Sequence, residues 1–346
     1  MEYSQATNGS THSRRVLVTG GGGFLGKAIV QKLIERGDRV TSFSRSSYTD
    51  LEGMHVAQIC GDLNDRKTVS DACRHKDLVF HVAAKAGVWG PFQEYYQTNV
   101  IGTQNIIAAC QEHNVSYLVH TSSPSVIYNG TGSMQGVNAS APYPSTFQTA
   151  YQQTKARAEQ MVVAAAGGSL KTIILRPHLI WGPGDNHLIP RILARAKKIM
   201  IVGDGKNLAD TIYIENAADA HLQAGDALQI KHDLSGNIYF ISQGEPVYLW
   251  EMINNILKAG NKPPVTKSIS RQTAFVIGAL LEFIYKVLRL KTEPKMTRFL
   301  AHELSAAQWF DISAAKRDFG FNPKISTKEG LKKLKEWLEE NPYEAD

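Results

Sequence analysis

The sequence of 346 residues has few cysteines, no long uninterrupted apolar run and little net charge. Its three cysteines include no CxxC pair, which argues against a disulfide framework and against a zinc cluster. The longest apolar window, 273–290, is broken by Glu282 and Lys286 and falls short of the ~20 clean residues that a spanning helix requires. The 38 basic and 32 acidic side chains give a net charge of +6 that is spread along the chain, so a nucleic-acid-binding protein is not expected.

The first residues, MEYSQATNGSTHSRR, are polar and lack the apolar stretch of a signal peptide. With 43% apolar and 20% charged residues, the composition is that of an ordinary folded protein. We therefore expect a cytoplasmic protein, with contact to a membrane surface left open.

A rhythm of strands and helices begins at residue 15. RVLVT (15–19) is a continuous apolar run typical of a parallel strand covered on both faces, and FLGKAIVQKLIERGD then has apolar residues at helical spacing. RVTSFS (39–44) gives a second strand, and the cycle continues through HVAQICGD, DLVFHVAA, a helix near 98–113, SYLVHTSS, a helix near 150–166, and KTIILRP. Strands alternating with helix-length segments predict an α/β fold with a doubly wound parallel sheet.

Beyond residue 180 the rhythm loosens. RPHLIWGPGDNHLIP (176–190) is rich in Pro and Gly and predicts a loop that leaves the sheet. One further strand is expected near 237–243, and the chain is mostly helical from Lys262 onward. We therefore predict a nucleotide-binding domain over 13–180 and a smaller, mainly helical substrate lobe over 181–346, interleaved with the first domain.

The segment TGGGGFLG follows the first strand directly. Glycines there allow a sharp turn and a close approach of the backbone to a pyrophosphate, and the helix that follows supplies N–H donors at its start. The four consecutive glycines fit both GxGxxG, with Gly21, Gly23 and Gly26, and GxxGxxG, with Gly20, Gly23 and Gly26. The motif predicts a dinucleotide site and leaves its register open.

The end of the second strand bears on the choice between NAD and NADP. An NAD site usually has an acid there for the ribose 2′-hydroxyl, but this sequence has Ser44 and Arg45, with no carboxylate before Asp50. A hydroxyl beside a guanidinium suits a 2′-phosphate, so we predict NADP(H). The alternative is that Arg45 is an ordinary solvated loop residue.

Tyr151 and Lys155 are four residues apart in a predicted helix, so both side chains lie on one face. A neighbouring ammonium favours the phenolate, and a phenol with a lowered pKa can exchange a proton with a substrate oxygen while hydride moves to or from the cofactor. Upstream, at the end of a strand, TSSPSVIY places Ser122, Ser123 and Ser125 where one hydroxyl would hold a substrate carbonyl.

Together these segments resemble the extended short-chain dehydrogenases/reductases over most of the chain. The resemblance is carried by TGGGGFLG, GDL, HVAA, NVIGTQN (99–105), the serine cluster, YQQTK, RPHLIWGPGD and GDGKNLADTIYIENAADA (203–220). It implies Tyr151, Lys155, Ser123 and Asn99 as the catalytic group, with Ser123 chosen over Ser122 by its spacing to the following valine. No metal site is implied. The cofactor-binding set is Gly20, Gly23, Phe24, Leu25, Gly26, Ser44, Arg45, Asp62, Leu63, Ala83, Ala84, Tyr151, Lys155, Pro177 and Ile180.

Within that group the sequence is similar to the 3β-hydroxysteroid dehydrogenase branch and, more narrowly, to bacterial 2-alkyl-3-oxoalkanoate reductases of long-chain olefin biosynthesis. The supporting segments are SFSRSSY, AAKAGVWG (83–90) and TSSPSVIY. The resemblance implies NADPH-dependent reduction of the 3-oxo group of a long-chain β-keto acid. It also implies a homodimer and an assembly with enzymes that make and consume these intermediates.

Three further residues are candidates for contact with a substrate. Lys85 suits a carboxylate and Trp89 an alkyl wall, but an exposed lysine and a packed indole are equally ordinary. His178 is a third candidate, although it and two other histidines near strand ends, His81 and His120, also suit buried hydrogen-bonded positions.

The apolar stretch FVIGALLEFIYKVL is followed by basic residues and suits an oily anion, an anionic membrane or a core helix with a solvated end. The basic residues are Lys286, Arg289, Lys291, Lys295 and Arg298. Three hypotheses result: a β-keto acid reductase, a sterol or steroid 3β-hydroxyl dehydrogenase, and a non-catalytic NADP-sensing protein. The joint presence of Tyr151, Lys155 and Ser123 argues against the sensor.

Overall fold

The computed structural model describes residues 13–130, 132–290 and 292–343. The polar start of the chain, Lys291 and the last three residues of the predicted substrate lobe therefore lie outside the described residues. Among the described residues, no helix is both long and apolar enough to cross a membrane.

The strands, in chain order, are β1 (Arg15–Thr19), β2 (Arg39–Ser44), β3 (Ala57–Cys60), β4 (Leu78–His81), β5 (Tyr117–Thr121), β6 (Met134–Val137), β7 (Lys171–Pro177), β8 (Ile180–Trp181), β9 (Ile201–Val202), β10 (Leu208–Ala209), β11 (Ile212–Tyr213), β12 (Ile238–Ile241), β13 (Val247–Tyr248), β14 (Ser268–Ile269) and β15 (Gln308–Phe310).

The α-helices are α1 (Phe24–Glu35), α2 (Thr49–Gly53), α3 (Arg66–Cys73), α4 (Phe92–Tyr95), α5 (Gly102–Glu112), α6 (Ala150–Ala164), α7 (Leu188–Ala194), α8 (Ile214–Ile230), α9 (Leu249–Ala259), α10 (Arg271–Val287), α11 (Arg298–Glu303), α12 (Ser313–Phe319) and α13 (Thr327–Glu340). A π-helical segment covers Tyr96–Ile101, and 3₁₀ turns cover Pro124–Ile127 and His232–Leu234.

Seven parallel strands form the central sheet in the order β12-β7-β5-β4-β1-β2-β3. Successive residues of β1 face opposite layers: Val16 and Val18 pack in one core cluster, while Leu17 packs in the other. A strand covered on both faces has to be continuously apolar, which explains RVLVT. The predicted doubly wound α/β fold is confirmed, including the returning strand β12, which pairs with β7.

The order of the strands places a crevice beside β1. The chain moves from β1 outward to β2 and β3, then returns to β4 on the other side of β1. Open α/β sheets bind ligands outside the carboxyl ends of the strands at such a reversal. The ends of β1, β4, β5 and β7 therefore define where a site is expected.

Three local predictions differ from the structure. The segment predicted as a loop over 176–190 contains β8, paired with β11, and the start of α7. The helix predicted near 98–113 begins earlier, at Phe92, and passes through the π-helical segment. A second sheet, in the order β13-β10-β15-β6, was not foreseen because its strands are only two to four residues long. Such short strands carry no measurable alternation of apolar and polar residues.

Candidate active site

A cavity of about 930 Å³, here called the large cavity, opens at the carboxyl ends of the central strands. Every predicted cofactor-binding residue lines it, together with Ser123 and Lys85. Asn99, Trp89 and His178 do not belong to its lining. The structure thus brings together, at the crevice that the topology predicts, residues that lie far apart in sequence.

The glycine turn holds α1 against the end of β1. Gly20 has a φ of +72°, and a Cβ there would lie 3.0 Å from the Cα of Ala83. A Cβ on Gly26 would lie 2.0 Å from the carbonyl oxygen of Gly20, so no larger residue fits without displacing the helix. Gly20, Gly23 and Gly26 line the large cavity, whereas Gly21 does not. This geometry favours the GxxGxxG register.

This turn fits the pyrophosphate of a nicotinamide dinucleotide. Gly23 caps a helix of 12 residues whose first three residues line the large cavity, and the helix dipole adds positive potential there. The absence of side chains at Gly20, Gly23 and Gly26 leaves the main chain open to close approach.

The residues at the end of β2 that line the large cavity carry no carboxylate. Asp50, the first acid after the strand, is ion-paired with Lys27. Ser44 and the exposed Arg45 line the large cavity, and the Ser44 hydroxyl accepts a long hydrogen bond of 3.5 Å from the Gly22 N–H.

Asp62 also lines the large cavity, but its carboxylate is engaged by the loop that carries it. Oδ1 accepts hydrogen bonds from the backbone N–H and the side-chain amide of Asn64, at 2.9 and 2.8 Å. Leu63, Ala83 and Ala84 lie beside it on the cavity wall. The small side chains of Ala83 and Ala84 leave room for a planar group against this part of the cavity wall.

Helix α6 positions the tyrosine and the lysine. The helix starts with a capping box at Thr149. The Thr149 hydroxyl accepts from the Gln152 backbone N–H, and the Gln152 side chain accepts from the Thr149 backbone N–H. One turn further, Lys155 Nζ donates to the Thr121 carbonyl at 2.6 Å, which ties the helix to the end of β5. Burial lowers the pKa of Lys155 to about 8, an effect that the carboxylate of Glu159 opposes.

The environment of Tyr151 differs from the sequence expectation. Burial raises the pKa of Tyr151, and the hydrogen bond from the Ser123 hydroxyl opposes this rise. The Lys155 ammonium donates its hydrogen bond to the Thr121 carbonyl. At neutral pH the phenol of Tyr151 therefore carries its proton.

The three candidate serines are separated by the structure. Ser122 and Ser123 line the large cavity, but Ser125 does not. Ser123 caps the 3₁₀ turn that follows β5, where its hydroxyl accepts from the Ser125 N–H at 3.2 Å. Of the two lining serines, Ser123 is the one that hydrogen-bonds Tyr151.

Asn99 is buried in the π-helical segment, away from the cavity wall. Its Oδ1 accepts from the Lys85 N–H at 2.7 Å, while Nδ2 donates to the Lys85 carbonyl at 3.1 Å and to the Thr154 hydroxyl at 3.0 Å. Asn99 therefore joins the segment after β4 to the middle of α6. This placement makes it a positioning residue for Tyr151 and Lys155.

The turn after β7 separates two neighbouring side chains. Pro177 and Ile180 line the large cavity. Arg176 points away into a fully buried ion pair with Glu159, at 2.5 Å. The end of β7 therefore presents an apolar surface to the cavity through Pro177, while Arg176 connects it to α6.

Two of the three substrate candidates have partners within the protein. Lys85 lines the large cavity, and its ammonium pairs with Glu94 at 2.9 Å. His178 is buried edge-on against Phe310, on the side of the second sheet, and its pKa is lowered to about 4 by burial. It is therefore a neutral residue packed outside the cavity. This agrees with the alternative that the histidines near strand ends are buried structural residues. His81 is buried and hydrogen-bonded through both ring nitrogens, to Thr19 and Thr103. His120 is buried as expected, but neither of its ring nitrogens has a hydrogen-bond partner among the described residues.

Trp89 lies in a second cavity of about 700 Å³, here called the α10 cavity. The indole packs edge-on against Tyr285, with ring centroids 6.1 Å apart. Three separate segments meet there: 88–91, 147–150 and 275–299. Since Ala150 lines the α10 cavity and Tyr151 lines the large one, the start of α6 lies between the two.

Sequence reasoning missed several lining residues of the large cavity. Tyr48 covers the glycine turn so closely that a Cβ on Gly22 would lie 2.1 Å from its ring. On the opposite side, Asp185 accepts three backbone N–H groups and forms the start of α7, which carries His187 and Leu188 to the cavity. The glycine after Pro183 could have signalled a turn, but nothing in the segment indicates which way it faces.

Comparison with known proteins gives a consistent assignment. The sequence model of the 3-beta hydroxysteroid dehydrogenase/isomerase family matches residues 17–268. The chain is 49% identical over 324 residues to the 2-alkyl-3-oxoalkanoate reductase of Stenotrophomonas maltophilia, covering 93% of this chain and 98% of the relative. It is 34% identical to the decarboxylating sterol-4-alpha-carboxylate 3-dehydrogenase of Schizosaccharomyces pombe, covering 92% and 96%.

A solved structure, MoeE5 in complex with UDP-glucose and NAD, superposes with a TM-score of 0.74 at 26% identity and covers 94% of this chain and 99% of its own. The predicted resemblance to this family and to the reductases within it is confirmed. The chain is an oxidoreductase and belongs to the 3-beta hydroxysteroid dehydrogenase/isomerase family.

Proposed function

We propose that this protein reduces the 3-oxo group of a long-chain 2-alkyl-3-oxoalkanoic acid to the 3-hydroxy acid with NADPH, in hydrocarbon biosynthesis. The observation that carries the proposal is the hydrogen-bonded pair of Ser123 and Tyr151 in the large cavity, with the α10 cavity on the other side of Ala150. The similarity to 2-alkyl-3-oxoalkanoate reductases over nearly the whole chain supports the substrate class.

In this proposal the residues of the glycine turn hold the pyrophosphate, and Pro177 and Ile180 support the nicotinamide. When bound there, a reduced nicotinamide supplies a hydride to the carbonyl carbon of the substrate. Ser123 donates a hydrogen bond to the carbonyl oxygen and thereby fixes its position beside Tyr151. Tyr151 then gives its hydroxyl proton to that oxygen as negative charge develops.

Lys155 contributes in two ways. Its hydrogen bond to the Thr121 carbonyl holds α6 at a fixed distance from the end of β5, where Ser123 follows. As a cation in the cavity wall, it also stabilises the phenolate that Tyr151 leaves after giving up its proton. Because burial brings its pKa to about 8, the ammonium remains the main form at neutral pH.

The choice of NADPH is supported by the surroundings of β2. Ser44 and Arg45 face the cavity, while Asp50 is neutralised by Lys27 and offers no carboxylate to a ribose. A 2′-phosphate would find a hydroxyl and a guanidinium there rather than a repelling acid.

The second candidate is oxidation of a sterol 3β-hydroxyl, favoured by the similarity to the sterol dehydrogenase. The residues of the reaction would be the same, with Tyr151 as proton acceptor. Substrate preference therefore has to distinguish the two. The test compares NADPH and NADH oxidation with three substrates: a long-chain 2-alkyl-3-oxo acid, a 3-ketosteroid and a sugar nucleotide. Turnover that is fastest with the acid and NADPH supports the first candidate, and preference for the steroid replaces it with the second.

We further propose, from the same resemblance, a cytoplasmic homodimer that works beside the enzymes supplying the β-keto acid and consuming the hydroxy acid. Sedimentation velocity of the purified protein tests the dimer. A monomer at micromolar concentration, with full reductase activity, would exclude it.

A further inference from the structure

Helix α10 is attached to the rest of the protein along one narrow line. Ala274, Gly278 and Glu282 are its buried residues and are spaced four apart. A Cβ on Gly278 would lie 2.6 Å from the carbonyl carbon of Thr297, so the helix lies directly on the start of α11. Glu282 completes the attachment by accepting from the Arg298 backbone N–H and guanidinium, both at 2.7 Å.

The opposite face of α10 is apolar and open to water. Val276, Leu280, Phe283 and Val287 recur at helical spacing and are 64, 57, 65 and 61% exposed. Ile277, Ile284 and Leu288 broaden this stripe on one side. Single exposed apolar residues are ordinary, but a continuous stripe of this kind marks a surface that is covered in use. We call these seven residues the α10 stripe.

The charges around the α10 stripe have one dominant sign. Lys286, Arg289 and Lys295 are exposed at the carboxyl end of the helix and just beyond it. The two acidic residues of the described part of 271–298 are both engaged, Glu282 by Arg298 and Glu293 by Arg191. The apolar stripe is therefore bordered by cationic groups that no neighbouring carboxylate offsets, among the described residues.

We propose that the α10 stripe docks on the surface of an anionic lipid bilayer, with α10 lying in the plane of the interface. An apolar helix face bordered by lysine and arginine is the pattern that binds at such interfaces, because the side chains enter the acyl region while the cations meet lipid phosphates. The helix has 17 residues and its other face is fixed to α11, so it lies on the bilayer rather than crossing it.

The position of the α10 cavity agrees with this docking. Phe275 and Tyr285 line that cavity from the same helix whose exposed face carries the stripe, and Leu290 lines it from just beyond the helix. Docking would bring the mouth of the α10 cavity to the lipid surface. An amphiphilic molecule could then enter it without exposing its alkyl chains to water.

The test is flotation of the full-length protein with vesicles. We expect the protein to float with vesicles of phosphatidylcholine and phosphatidylglycerol at a 7:3 ratio, and at least tenfold less with phosphatidylcholine alone. Raising the salt concentration should weaken the binding, because the cationic contribution is screened. The double variant Leu280→Asn/Phe283→Asn should lose at least tenfold in partitioning, while both side chains lie outside the two cavities and leave NADPH binding unchanged.

The matched control is Ile230→Asn, since Ile230 is 80% exposed at the end of α8, outside the stripe. It should bind vesicles as the wild type does. Failure of the wild type to bind anionic vesicles, or equal binding by the double variant, would overturn the proposal. Sedimentation velocity shows whether a protein partner covers the stripe instead: a wild-type dimer that the double variant converts to a monomer, with no vesicle binding, assigns the face to a second copy of the chain.

Discussion

The large cavity and the α10 cavity are built in opposite ways. The first is formed at the ends of parallel strands, with small residues such as Gly20 and Ala83 where the backbone turns closely, and its chemistry lies in short contiguous motifs. The second is formed by side chains from three distant segments and contains no motif. A cofactor used by many enzymes demands one backbone geometry, whereas an apolar chain is satisfied by any suitable set of large side chains. Changes at the first cavity should therefore remove chemistry, and changes at the second should alter preference.

The largest effect is expected for Tyr151→Phe. Loss of the proton donor should lower kcat by about 10³-fold, within the range for general acid catalysis, while NADPH binding stays unchanged. Stopped-flow hydride transfer and fluorescence titration measure the two quantities. Tyr248→Phe, which removes a hydroxyl from an exposed tyrosine outside both cavities, is the control. Unaltered turnover in Tyr151→Phe would refute the proposed mechanism.

Gly26→Ala tests whether the backbone builds the first cavity. Its new Cβ would lie 2.0 Å from the Gly20 carbonyl oxygen, so α1 or the turn has to move. We expect NADPH affinity to fall by about 100-fold, an order-of-magnitude figure of about 3 kcal/mol. Gly53→Ala adds the same methyl group where nothing lies within 4 Å and should bind normally. Equal affinity in the two variants would show that the turn tolerates side chains.

Burial of Lys155 predicts a stability that depends on pH. Its pKa in the folded protein is about 8, below the ordinary 10.5, so between these values the unfolded chain holds a proton that the folded chain has released. The penalty for the charged group is full below pH 8 and declines as the pH rises toward 10. Lys155→Met removes this penalty, so its free energy of unfolding should exceed that of the wild type by more at pH 7 than at pH 10. The advantage should change between the two pH values by at most about 3 kcal/mol.

Urea unfolding of the cofactor-free proteins at the two pH values measures this difference. Tyrosine ionisation affects both proteins alike and cancels in the comparison. A difference that does not change with pH would mean that Lys155 is well solvated.

Ser44→Asp should change the cofactor rather than the chemistry. A carboxylate at the end of β2 repels a 2′-phosphate and accepts from a 2′-hydroxyl, so NADPH affinity should fall roughly tenfold and NADH affinity should rise. Ser46→Asp adds the same charge at an exposed position outside the large cavity. If both substitutions weaken NADPH binding equally, the effect is one of general charge and the assignment of Ser44 fails.

The smallest effect is expected in the α10 cavity. Tyr285→Ala removes the ring that packs against Trp89 and should raise KM for a long-chain substrate several-fold. A short-chain substrate and NADPH should bind as before. Tyr248→Ala, at an exposed tyrosine, should leave all three unchanged. Equal losses for short and long chains would mean that the α10 cavity does not hold the alkyl group.

The fold, and the grouping of Tyr151 and Lys155 in one cavity, could be predicted because each depends on local sequence. A buried parallel strand must be apolar throughout, as β1 is, and Tyr151 and Lys155 share a helix face by spacing alone. The partners of charged groups could not be predicted, since they depend on chain segments that meet only after folding. Glu94 pairs with the ammonium of Lys85, and the Thr121 carbonyl accepts a hydrogen bond from that of Lys155. Burial also raises the pKa of Tyr151, which the sequence expects to be lowered.

His178 illustrates the same limit from the opposite side. A histidine after β7 is placed correctly along the chain for a ligand contact, but its ring turns toward the second sheet and packs against Phe310. Strands as short as those of the second sheet leave no pattern in the sequence, so no reading of residues 170–180 alone could reveal what lies beside them.

The pairing of β6 with β15 has a consequence for synthesis on the ribosome. Ser133 and Ala307, which are hydrogen-bonded next to these strands, are 174 positions apart. At about 5–20 residues per second, β6 leaves the ribosome roughly 10 to 30 s before its partner exists. The nascent chain can complete the glycine turn early, yet the edge of β7 stays unpaired until β12 is made and β6 stays unpaired until β15 is made. Slow elongation or truncation before residue 310 should therefore yield a chain prone to aggregation, although its nucleotide motif is intact.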